Sequence, residues 1–156
     1  MEYKAKDKYF SMLRAYEKLK KISTNNGNTI SLTDPNDVAD NFFTICYHFK
    51  DWLKKDTSIN LVENVEDFIK KSKSLVLAAD YCNSFKHAGL NREPRSGKVI
   101  EKVNRHIRLD LTPTGFVGSG RLELTISGEK YDSFLLATEC LKEWEQFLKK
   151  SKVSFI

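Results

Sequence analysis

Two short stretches bring together side chains suited to acid–base chemistry: His48-Phe49-Lys50-Asp51-Trp52 and Asp80-Tyr81-Cys82-Asn83-Ser84-Phe85-Lys86-His87. Both read as helical. On a helix His48 and Asp51, three apart, share a face. Asp80, Asn83 and His87 fall at i, i+3 and i+7, one stripe two turns long. A histidine oriented by a carboxylate is a common unit of proton transfer. His87 lies toward the C-terminal end of its helix, where the dipole favours the charged imidazole. With Asp80 or Asp51 beside it, such a histidine could exchange a proton with a ribose 2′-hydroxyl or a leaving oxygen. If both motifs face inward, His48 and His87 should approach each other, with Asp51, Asp80 and Asn83 around them.

The same five residues allow other readings. A fully hydrogen-bonded polar network can fix helix register without doing chemistry. Two histidines and two aspartates suit zinc, iron or manganese in type. Their spacing matches neither His-Glu-x-x-His nor paired Glu-x-x-His, so no metal ligand is assigned. The sequence contains no serine elbow, phosphate loop or dinucleotide fingerprint, and nothing in it calls for a cofactor. A third reading is a non-catalytic binding module.

Charge adds a direction. The net charge is +5, and all of the surplus falls between Lys86 and Arg108. Lys86, Arg92, Arg95, Lys98, Lys102, Arg105 and Arg108 are opposed there only by Glu93 and Glu101. A basic stretch that begins inside the second motif is placed to hold phosphates, and the candidate nucleic-acid contacts are Lys86, Arg92, Arg95, Lys98, Arg105 and Arg108.

The elements that must position these residues follow from periodicity. Residues 3–22 place Tyr9, Met12, Tyr16, Leu19 and Ile22 at helical spacing. Asp34-Pro35 starts a second helix, Asp34 as cap and Pro35 in the first turn. It runs to about Lys55 with Val38, Phe42, Ile45, Phe49 and Trp52 as its apolar stripe. A short helix spans 63–71 and a fourth spans Ser74–His87, with Gly89 as its stop. The period then switches to two. Val103, Ile107, Leu109 and Leu111 alternate with polar residues, broken only at Arg105. Residues 112–120 read as a turn, and Leu122, Leu124 and Ile126 alternate again, giving an antiparallel hairpin at about 98–128. A last helix over 130–150 carries a heptad-like seam of Phe134, Ala137, Leu141, Trp144 and Leu148.

At 156 residues the chain reads as a single domain over 1–156, mainly α with an α+β character: a helical bundle with a β-hairpin inserted before the last helix. No apolar run approaches the ~20 residues of a membrane span, and the N-terminus lacks the apolar stretch of a signal peptide. The expectation is a cytoplasmic protein without a membrane partner. The cysteines Cys46, Cys82 and Cys140 are widely spaced and read as buried thiols.

With its motifs on helices, the chain resembles an uncharacterised group of small bacterial HEPN-like proteins (higher-eukaryote and prokaryote nucleotide-binding). That group's marks are a His-x-x-Asp-Trp helix, an Asp-x-x-Asn-x-x-Lys-His helix, then strands and a Trp-bearing last helix. His48, Asp51 and Trp52, then Asp80, Asn83, Lys86 and His87, then Trp144 stand in that order. The resemblance implies a bundle used in defence or toxin–antitoxin systems, where such domains act on RNA or serve as inactive scaffolds. The Arg-x4-6-His motif of the active ribonucleases is absent: none of His48, His87 or His106 has an Arg at that spacing upstream. The expected role is an RNA- or nucleotide-interacting component of a bacterial or phage conflict system. The alternative is a non-enzymatic scaffold that binds a protein partner or a second copy of itself.

Overall fold

The computed structural model describes residues 4–24, 35–86, 94–98, 100–113 and 115–156. Helices α1 (Ala5–Thr24), α2 (Pro35–Lys55), α3 (Val65–Lys71) and α4 (Lys73–Lys86) precede strands β1 (Ile100–Thr112), β2 (Gly115–Ile126) and β3 (Glu129–Asp132), and α5 (Ser133–Lys150) follows. This is the expected helical bundle with strands inserted before the last helix. Proline at the first position of α2 costs nothing there, because its missing N–H has no intrahelical partner. The capping role read for Asp34 and the stop read for Gly89 lie outside the described residues. No helix among the described residues is long and apolar enough to cross a membrane.

The last helix is the hub. Its buried face holds the expected Ala137, Leu141, Trp144 and Leu148, leaves the expected Phe134 half-buried, and is wider, adding Leu136, Cys140 and Phe147. A two-residue seam serves one neighbour, whereas α5 touches α1, α2, α4 and the sheet. Trp144 is fully buried, edge-on to Phe49 with ring centroids 5.2 Å apart. Its indole N–H donates to the Cys46 carbonyl at 3.2 Å, which satisfies the polar end of a buried ring. All three cysteines are buried as thiols rather than disulfides. Burial pushes the Cys140 thiol well up, with the neighbouring Cys46 adding to the effect.

The sheet departs from the sequence reading in three places. β1 runs unbroken through Arg105, which pairs with Leu122, and the glycine-rich segment expected as a turn is strand from Gly115 onward. Thr112 pairs with Gly115, so strand pairing extends well into the segment expected as a turn. Residues 130–132 were expected at the start of the last helix but belong to a third strand, giving the antiparallel order β1-β2-β3. The reason is local. Ser127 and Gly128 take φ of 48° and 79°, the paired left-handed conformations of a two-residue hairpin turn. The chain therefore doubles back, and the helix starts only where Asp132 caps it by accepting the Leu135 N–H at 3.0 Å.

Candidate functional site

Helix α2 supplies two adjacent stripes. His48 and Asp51 form one, with His48 Nδ1 3.1 Å from Asp51 Oδ2 and the side chains 34% and 43% exposed. The expected pair is therefore made, and it is half open to solvent. Tyr47, Lys50 and Lys54 form the other stripe, one residue round the helix.

Helix α4 supplies Asp80, only 1% exposed. Its two carboxylate oxygens accept the backbone N–H of Arg95 at 2.7 Å and of Ser96 at 2.8 Å. The turn it grips is closed by the Gly97 N–H donating to the Pro94 carbonyl at 3.0 Å, with Gly97 at φ 69°. A buried carboxylate gains its stabilisation from such fixed donors. In the structure Asp80 is thus the anchor of the 94–97 turn. One helical turn on, the Asn83 Nδ2 is buried with no hydrogen-bond partner among the described residues. His87 and Arg92 lie outside the described residues, so the expected approach of His48 and His87 does too.

The structure adds a cluster that sequence reading missed. Glu66, near the start of α3, receives three cations: Lys50 Nζ at 2.7 Å, Lys54 Nζ at 2.7 Å and Arg95 Nη1 at 3.1 Å. Asn64 caps this short helix by accepting the Glu66 and Asp67 N–H groups, which fixes where Glu66 leaves the backbone. Lys50 is nearly enclosed, its side chain 8% exposed. Its ammonium donates to the Tyr47 hydroxyl at 3.0 Å and lies 4.2 Å from that ring's centroid. The Arg95 guanidinium sits 5.5 Å from the same ring. Burial alone would push the Glu66 carboxyl up, but hydrogen bonds from Lys50, Lys54 and Arg95 outweigh it and hold the group at about 2. Burial likewise opposes the charge on Lys50, and its bonds to Glu66 and Tyr47 restore and raise it. Only the i, i+3, i+7 spacing of Tyr47, Lys50 and Lys54 was available to find this cluster.

Of the six residues proposed to meet nucleic acid, two have described side chains, and both are committed to carboxylates. Arg95 holds Glu66. Lys98 donates to Glu129 at 2.8 Å and to the Tyr131 hydroxyl at 3.0 Å, tying the segment after the turn to β3. Lys98 and Tyr131 in turn hold the Glu129 carboxyl at about 2. Lys86 ends α4, and Arg105 and Arg108 occupy positions in β1. Trp52, expected in the core, is half-buried with Lys8 Nζ 5.6 Å from its ring. Among the described residues no three His, Cys, Asp or Glu side chains are grouped to hold a metal ion.

Comparison of the chain with protein-family models, with curated proteins and with solved structures finds no match.

Proposed function

We propose that the protein binds RNA or a nucleotide on the face built by α2, α3 and the 94–97 turn, as a HEPN-like component of a bacterial or phage conflict system. The convergence of three cations on the single carboxylate of Glu66 carries this reading. One carboxylate neutralises one of the three, and the surplus attracts phosphate. Lys50 and Arg95 are already held in place, so binding need not order them, and the planar guanidinium suits a phosphate's paired oxygens. The His48–Asp51 pair stands on the adjoining stripe of the same helix, where it would serve as the acid–base group. Asp80 is left out of that role, since both of its oxygens are engaged by backbone N–H groups.

The test is fluorescence anisotropy of a labelled single-stranded RNA over a salt series. Binding should weaken steeply with salt, and Lys54→Ala should lower the logarithmic slope by about 1. His48→Ala should leave binding intact and abolish any cleavage of the RNA. Absence of binding at about 50 mM salt would overturn the proposal. The competing reading, a non-enzymatic partner-binding scaffold, draws on the same engagement of Asp80, which makes that part of the motif an internal brace. It gains if RNA binding is absent while variants of the motif unfold the protein.

A further inference from the structure

We infer that the protein forms a two-fold dimer by pairing the outer edge of β1 with β1 of a second copy, antiparallel and centred on His106. Strand β1 is 13 residues long and lies at one end of the sheet order, with β2 on its other side. Among the described residues no strand pairs with that outer edge. A long open edge is a template for another strand, and soluble proteins ordinarily blunt it with charge. Among the self-pairings that use nearly all of the strand, the charges of β1 favour one. A two-fold axis perpendicular to the sheet sets one residue opposite its own copy, so each register is named by its central residue.

Centring on His106, the midpoint of Ile100–Thr112, uses the whole strand. It sets Lys102 opposite Asp110 of the second copy, twice per dimer, and Val103 opposite Leu109. No like charges meet among the Lys, Arg, Asp and Glu residues. Moving the centre one residue back sets Lys102 opposite Arg108, a repulsive pair. Moving it one residue forward sets Lys102 opposite Thr112 and Asp110 opposite Asn104, and both attractions are lost. Directly opposed charges decide between registers because cross-strand neighbours interact strongly when unlike and oppose pairing when alike. The inference is independent of the phosphate-binding reading, which concerns α2, α3 and the 94–97 turn.

Within one chain Lys102 pairs with Thr125 and Asp110 with Val117. Changing either charge therefore breaks no opposed ion pair in the chain's own hairpin. The experiment is sedimentation equilibrium of the full chain over a wide concentration range, with circular dichroism to confirm the fold of each variant. The wild type should show a monomer–dimer equilibrium. Lys102→Glu and Asp110→Lys should each weaken it about tenfold or more, since each replaces two attractions with two repulsions. The double variant should recover the wild-type dissociation constant. A wild type that stays monomeric throughout overturns the inference. So does a dimer that ignores both single changes, which would place its interface elsewhere, and so does a double variant that fails to recover.

Discussion

Replacing Glu66 with Gln tests whether the three-cation cluster stabilises the fold. The carboxyl is held at about 2 against 4.5 for an unperturbed glutamate. At about 1.4 kcal/mol per unit, that displacement is worth up to ~3 kcal/mol of stability above the range where the unfolded carboxyl ionises. Glu66 is 27% exposed, and solvent screening lowers the expected cost of Glu66→Gln to about 2 kcal/mol. The loss of an anion beside the enclosed Lys50 acts in the same direction. For a chain of this length, about 2 kcal/mol corresponds to a fall in Tm of roughly 4–8 °C. The sign with pH follows from the lowered value. The stabilisation is complete above about pH 5 and is lost as pH falls through the folded value. The difference between wild type and variant should thus be flat from pH 5 to 8, fall below half at about pH 3 and vanish below about pH 2. Calorimetry of both proteins across this range reads it directly. A variant melting within about 1 °C of wild type at neutral pH would refute the reasoning, as would a difference that persists unchanged at about pH 3.

Three other changes probe separate parts of the argument. Asp80→Ala removes the buried acceptor for two half-buried backbone N–H groups and should cost about 1–3 kcal/mol in urea unfolding; a cost below ~0.5 kcal/mol would show that the 94–97 turn does not depend on it. His48→Ala breaks a half-exposed pair and a ring contact with Tyr47, so its effect on stability should stay under about 1 kcal/mol, and a larger fall in Tm would mark the histidine as structural. Lys152 follows α5 at φ 55°, with the Val153 N–H donating to the Leu148 carbonyl at 2.9 Å and the Lys152 N–H to that of Lys149 at 3.0 Å. Glycine is the residue suited to that helix ending, so Lys152→Gly should stabilise by about 0.5–1 kcal/mol; a fall in Tm would mean the lysine side chain contributes more than its backbone strain costs.

The single-helix geometry of this protein is determined by its sequence. Residues three or four apart on a helix are neighbours whatever the helix packs against. The start of α2 at Pro35, the pairing of His48 with Asp51 and the seam of α5 were therefore legible from spacing. So was the change of period that announces β1 and β2, because alternation reports burial on one side of a strand. The third strand was not legible, since four residues between a tight turn and a helix cap carry no period of their own.

Tertiary packing decided which polar groups meet. Glu66 finds Lys50 and Arg95 at sequence separations of 16 and 29 residues, and no local spacing encodes either. Asp80 sits on the stripe predicted for a catalytic carboxylate, yet its partners are the main-chain N–H groups of Arg95 and Ser96, which any residue but proline provides. A buried charge takes whatever donors the fold brings to it, because leaving it unpaired costs more than almost any rearrangement nearby. The sequence can therefore say that a carboxylate will be buried on α4, while the packing of α2, α3 and the 94–97 turn determines what that carboxylate and its neighbours hold.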